Sequence, residues 1–199
     1  VWTKKEKELI ERGFNNRSHH RVKAYGNTLL NSFKIKSDIS KYYDKVFIEK
    51  FKNINDRKII LLSLCWGESI SSKMISLIES SDQIYFFLIR IHPSTTKKEK
   101  FLIVKKLNKL KSKNFDFKES SNLPIHCLLR NINFHITSVS SIVLEALEFG
   151  IRSIVTSQRG KTYYQNQIAD KKVFFSNNLK KILDLIALYL NKSFNKLAN

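Results

Sequence analysis

The stretch INFHITSVSSIVLEALEFGIRSIVT, residues 132–156, decides the fold. INFHIT is a short apolar run of strand length. SIVLEALEF spaces its apolar residues as a helix does and stops at Gly150. IRSIVT is a second short apolar run. Strand, helix and strand follow one another, the alternation that builds a parallel sheet.

The same alternation extends both ways. Upstream, KIILLSL (58–64) and IYFFLIRI (84–91) read as buried strands and ISSKMISLIES (70–80) as a helix. In HPSTTKKEKFLIVKKLNKL (92–110), Thr96 and Glu99 form a capping box. Phe101, Val104, Leu107 and Leu110 are expected to line its buried face. FDF (115–117) is a weak strand and LPIHCLLRN (123–131) a short helix. Downstream come one helix over GKTYYQNQIA (160–169), a sixth strand at KVFF (172–175) and a long final helix (177–194). Strands that are apolar throughout lie in a parallel sheet covered on both faces. The expected fold is α/β: a doubly wound, Rossmann-like parallel sheet of six strands. Ligands of such sheets bind beyond the strand C-termini where strand order reverses, here between the first and fourth strands.

Residues before this pattern read differently. Thr3 and Glu6 make a capping-box pair for a helix that runs to Gly13. RVKAYGN (21–27) reads as a short strand and SDISKYYDKVFIEKF (37–51) as a helix. NINDRK (53–58) is a polar break, which sets the expected boundary between residues 1–56 and 57–199. The chain opens without Met and without the apolar core of a signal peptide. We expect a piece of a longer cytoplasmic protein.

With 199 residues, 42% of them hydrophobic, the chain can build a sizeable core. Its 36 Lys and Arg against 17 Asp and Glu give a net charge of +19. That invites a polyanion partner. The lysines are spread along the chain among Ile and Asn, which fits a compositional bias equally well, and nucleic acid is disfavoured. Cys65 and Cys127 have no metal spacing and are expected to be buried thiols. His19–His20 sits in a polar loop, and no metal is expected there.

Two loops stand at the expected switch point. CWGES (65–69) carries Gly67, which allows a tight turn and a close approach, and Glu68 and Ser69, expected to cap the next helix. TSVSS (137–141) carries Thr137, Ser138, Ser140 and Ser141. Hydroxyls at a helix start are ordinary caps, or they donate to a phosphate. Glu145, one turn into that helix, faces solvent or a ligand hydroxyl. His92 and Pro93 end the second strand, where a histidine could donate to a phosphate or a base. Gly160, between Arg159 and Lys161, is a smaller anion-friendly place. No Ser-His-Asp arrangement or P-loop is present in recognisable form, and no cofactor is expected.

IRIHPS, HITSVSSIVLEALEFGIRSIV and RGKTYYQNQI together resemble the C-terminal, donor-binding half of GT-B glycosyltransferases. The likeness is strongest to the bacterial surface-polysaccharide group, with its capsule, sialyltransferase-like and polyol-phosphate-polymerising enzymes. RVKAYGNTLL (21–30) resembles the hand-over from the acceptor domain. The resemblance implies a nucleotide-sugar donor and a glycan or lipid-linked acceptor. It implies that His92 contacts the nucleotide, Ser140 and Ser141 the phosphate, and Glu145 the ribose or sugar, while Gly67 lets its loop approach. Many members carry the catalytic base in the N-terminal domain, so no catalytic residue is assigned here. The chain alone is then expected to bind donor and turn over poorly. The place of action would be the cytoplasm, at the inner face of a membrane whose anionic lipids meet the basic surface. Two alternatives stay open: a sugar-nucleotide 2-epimerase, which shares the fold, and a non-enzymatic basic module that binds anions or nucleic acid.

Overall fold

The computed structural model describes residues 4–13, 23, 28–35, 37–54, 56–81 and 83–192. Thr3 of the first capping box, His19–His20 and all but Lys23 of the strand expected over residues 21–27 lie outside the described residues.

The chain divides into two compact units, Val1–Tyr43 and Asp44–Asn199. The first contains α1 (Lys4–Gly13), α2 (Thr28–Lys34) and the opening of α3 (Asp38–Lys50). Helix α2 was not expected from the sequence. It buries Leu30 and Phe33. Ser40 closes the turn into α3, its hydroxyl donating to the carbonyls of Ile35 and Ser37.

The second unit carries the sheet. Its elements are β1 (Lys58–Ser63), α4 (Ser72–Ser80), β2 (Tyr85–Arg90), α5 (Lys97–Leu107), β3 (Phe115–Asp116), α6 (Glu119–Asn122), α7 (Ile125–Asn131) and β4 (Phe134–Thr137). After these come α8 (Ile142–Glu148), β5 (Ser153–Val155), α9 (Gln158–Tyr163), α10 (Gln165–Ala169), β6 (Val173–Phe175) and α11 (Leu179–Lys192). The six strands form one sheet in the order β3-β2-β1-β4-β5-β6, parallel at every pairing. β1 and β4 are neighbours, Ile60 opposite Phe134 and Ser63 opposite Thr137. The doubly wound sheet expected from the sequence is therefore present, with its reversal between β1 and β4.

Side chains alternate across the sheet. One face presents Ile60, Leu62, Phe87, Ile89, Phe134, Ile136 and Ile154 to Leu77 and Ile78 of α4, Ile103 and Leu107 of α5, and Ile182 and Ile186 of α11. Each such buried Ile, Leu or Phe contributes about 1.5–3 kcal/mol over its exposed state. On the other face, Val155 and Val173 pack with Val143 of α8 and with Tyr164. That face also carries the buried polar residues Ser63, His135, Thr137 and Ser153.

Three local expectations are corrected. The buried face of α5 is Ile103 and Leu107, whereas Phe101 is 65% exposed. Steps of three residues drift by about 60° each, so Phe101 and Leu110 cannot share a stripe. The capping box of Thr96 and Glu99 is formed as expected. The cap of α4 is Ser71, whose hydroxyl accepts the Met74 amide, and neither Glu68 nor Ser69 fills that role. Finally, the single helix expected over 160–169 is two, α9 and α10, broken at Tyr164.

Candidate functional site at the switch point

The chain leaves β1 through a tight turn. Glu68 donates its amide to the Cys65 carbonyl at 3.0 Å, and Gly67 between them has φ +70°. A third turn residue with positive φ favours glycine. The turn brings the Glu68 carboxylate back over its own loop, where Oε2 accepts the Cys65 amide at 2.8 Å. The same oxygen accepts the Ser138 hydroxyl at 2.9 Å. The two loops at the switch point are thus tied by a charge-assisted bond.

The loop after β4 is held at almost every residue. Thr137 is buried and its Oγ1 donates to the Ser63 carbonyl at 2.8 Å. The Ser138 carbonyl accepts Ser157 Oγ at 2.9 Å. The same Ser157 Oγ accepts the Gly160 amide at 3.0 Å, as the cap of α9. A Cβ on Gly160 would stand 2.2 Å from the Ser138 carbonyl oxygen, so this glycine serves close packing. Its amide is already satisfied, which corrects the anion-friendly expectation. Tyr164, buried, donates its hydroxyl to the Ser140 carbonyl. Burial raises the pKa of that phenol.

The hydroxyls divide by what they do. Ser140 Oγ accepts the Ile142 amide at 3.3 Å. Ser141 precedes α8 with helical φ and ψ, is exposed, and its side chain makes no capping bond. A small crevice of about 30 Å³ lies between the loops, lined by Ser63, Glu68, Ser71, Thr137, Ser138 and Thr156 among others.

His92 and Pro93 sit in the turn after β2. His92 Nδ1 accepts the Ser94 amide at 3.1 Å, which leaves the ring proton on Nε2 as a donor. Among the described residues, no hydrogen bond joins His92 or Pro93 to the β1 and β4 loops. Glu145 does not face solvent. Its Oε2 lies 3.0 Å from His126 Nε2, with side chains 14% and 7% exposed. Burial lowers the pKa of Arg90, and the nearby Glu145 charge partly offsets that fall. The Arg90 guanidinium donates to the carbonyls of Ser120 and Leu123.

Three features were missed from the sequence. His135 bridges Ser63 Oγ at 2.7 Å and Ser153 Oγ at 2.9 Å across three strands. Burial drives its pKa down to about 3, so the ring is neutral. A lone histidine in an apolar strand was the available signal. Trp66, at the tip of the β1 loop, is 71% exposed. The cysteines also differ. Cys127 is buried, its thiol pushed up to about 12 by burial and then by Asp44. Cys65 is half-buried in the crevice loop, its Sγ 2.8 Å from the Val139 carbonyl, which corrects the expectation of two buried thiols.

A doubly wound parallel sheet with its open loops at this reversal is the Rossmann-like fold of GT-B C-terminal domains. Solved structures of that class superimpose on the chain. The wall teichoic acid polymerase TagF matches with TM-score 0.63 at 16% identity, over 95% of this chain and 50% of that one. The C-terminal CMP-Kdo binding domain of WaaA from Acinetobacter baumannii matches with TM-score 0.53 at 11% identity, over 77% of this chain and 91% of that one. The UDP-GlcNAc 2-epimerase from Neisseria meningitidis, bound to UDP-GlcNAc, matches with TM-score 0.56 at 18% identity, over 100% and 55%. The chain spans about half the length of TagF. No family model matches the chain, and no curated protein matches it by sequence.

Proposed function

We propose that this chain is the donor-binding half of a glycosyltransferase that takes a nucleotide-sugar between the β1 and β4 loops and serves surface-polysaccharide synthesis. One observation carries the reading: at the β1/β4 reversal, Glu68 and Ser138 fasten two loops around a small crevice lined by hydroxyls. The likeness to a domain described as CMP-Kdo binding supports it, since that domain matches over 91% of its own length.

In this reading Ser140 and Ser141 donate to the donor phosphate, His92 Nε2 to the nucleotide, and Glu145 accepts from the ribose or sugar. Gly67 lets the first loop approach. Thr137, Ser138, Glu68 and Pro93 give the site its shape. An acceptor hydroxyl attacks the anomeric carbon as a base of the acceptor domain takes its proton, and the bond from that carbon to the phosphate oxygen breaks with its electron pair leaving on the nucleotide. Negative charge then gathers on the leaving nucleotide, where hydroxyl donors stabilise it more than they did the ground state. No metal or cofactor enters the scheme. Residues 1–56 end the acceptor domain and 57–199 are the donor domain. The acceptor is a glycan or a lipid-linked chain, and the basic surface meets anionic lipid at the inner face of the membrane.

The likeness to UDP-GlcNAc 2-epimerase favours a second reading, inversion of a sugar nucleotide at C2 on the same fold. NMR titration with cytidine and uridine nucleotides tests the site common to both. Shifts are expected at residues 65–69, 92–94 and 137–141. Shifts confined to surface lysines would instead favour a basic anion-binding module. Appearance of an epimer from UDP-GlcNAc would favour the second reading.

A further inference from the structure

Helix α5 carries side chains that the sheet does not use. Ile103 and Leu107 face the core. Phe101 stands about 160° around the helix from Ile103, and Leu102 about 100°. They are 65% and 48% exposed. Lys97, Lys98, Lys105 and Lys106 share that outward surface and are all exposed. From residue 97 to 113 there are eight lysines and one acid, Glu99. Glu99 is spent on the capping box, its carboxylate accepting the Thr96 amide and hydroxyl. Lys106 reaches Ser69 of the β1 loop at 2.9 Å. The segment holds eight of the 36 basic residues of the chain, a local density well above the average that produces +19.

We propose that the outward face of α5 and the turn after it dock on an anionic lipid bilayer. Lysines near such a surface are drawn to its negative potential. Adjacent Phe and Leu side chains enter the boundary between headgroups and acyl chains, which gives an amphipathic basic helix its hold. Charge complementarity selects the anionic surface. Phe101 beside an aliphatic Leu102 selects the bilayer, since a nucleic acid gains little from leucine. This deepens the proposed membrane contact by naming its residues. The contact through Lys106 puts the docking helix next to the loop that carries Gly67 and Glu68.

The test is sedimentation of the 199-residue chain with vesicles of phosphatidylcholine, alone or with one-third phosphatidylglycerol. Binding to the anionic vesicles is expected, weakening as salt rises. F101S/L102S and K98E/K105E are each expected to weaken it about tenfold or more. K45E/K52E, the same charge change on exposed lysines elsewhere, should leave it near wild type. Equal loss in the control would overturn the proposal in favour of net charge alone. Absence of vesicle binding, or tighter binding to an RNA oligomer that F101S/L102S leaves unchanged, would overturn it too. Circular dichroism of each variant checks folding. Nucleotide titration of each separates this proposal from the donor-site reading, because either can fail while the other stands.

Discussion

Glu68 Oε2 and Ser138 Oγ are 2.9 Å apart although 70 residues separate them in the chain. The carboxylate also holds the Cys65 amide of its own turn. One side chain therefore ties the β1 loop to the β4 loop, beside the contact of Cys65 Sγ with the Val139 carbonyl. Glu68→Ala removes both bonds and is expected to destabilise the domain by about 1.5–3 kcal/mol. Urea unfolding measures it, and an unchanged midpoint would show that the latch contributes nothing.

Ser141 and Ser140 differ in a way that separates capping from ligand binding. Ser141 makes no capping bond, so Ser141→Ala should leave the melting temperature nearly unchanged. If its hydroxyl donates to a charged phosphate, nucleotide affinity should fall about tenfold or more. Ser140→Ala also loses the bond to the Ile142 amide and should cost about 1 kcal/mol of stability. Calorimetric titration beside thermal melts reads both. Unchanged affinity in the double variant would remove these serines from the site.

The buried His135 links stability to pH. Its folded pKa of about 3 lies below the unfolded value. Between that value and about 6.5 the unfolded chain binds the extra proton. Its contribution is therefore complete above the unfolded pKa and is lost as pH falls toward about 3, with a limiting slope of about 1.4 kcal/mol per pH unit. Denaturation midpoints of wild type and His135→Gln, measured across this window, should diverge most at its upper end. Parallel curves would refute the assignment.

Gly160→Ala puts a methyl group against the Ser138 carbonyl. Backbone must move, at a cost of about 1–3 kcal/mol. Because Ser138 also meets Glu68, the shift should appear in amide spectra of residues 65–69 as well as near the substitution. A change confined to α9 would show that the loops are not mechanically joined.

A thiol probe should distinguish the cysteines. Stoichiometric alkylation of the native protein at neutral pH should modify Cys65 and spare Cys127, whose thiol is buried and held at about 12. Peptide mapping by mass spectrometry checks this. Bound nucleotide should slow the reaction at Cys65 if the crevice is the donor site.

The parallel sheet was legible because residues 58–64 and 84–91 are largely apolar on both faces, which a sheet covered on both sides accommodates. The orientation of α5 was misjudged because Phe101, Val104 and Leu107 fall at equal intervals that do not match the turn of a helix. Glu68 looked like a cap because acids commonly start helices, yet its partner is a residue far along the chain. The break at Tyr164 had no local signal, since the tyrosine hydroxyl is directed by the Ser140 carbonyl. What sequence could not carry was the set of bonds that joins one loop to another.

The shape of the serine loop, finally, is not a property of the serine loop. Ser138 and Ser140 are gripped through their carbonyls by Ser157 and Tyr164, and Gly160 leaves the space that lets this happen. Transplanting residues 137–141 into another parallel sheet would carry the hydroxyls without their positions. A working graft must bring α9 and the start of α10 along, and evolution faces the same constraint: this loop can be inherited or redesigned only together with the helices that follow the next strand.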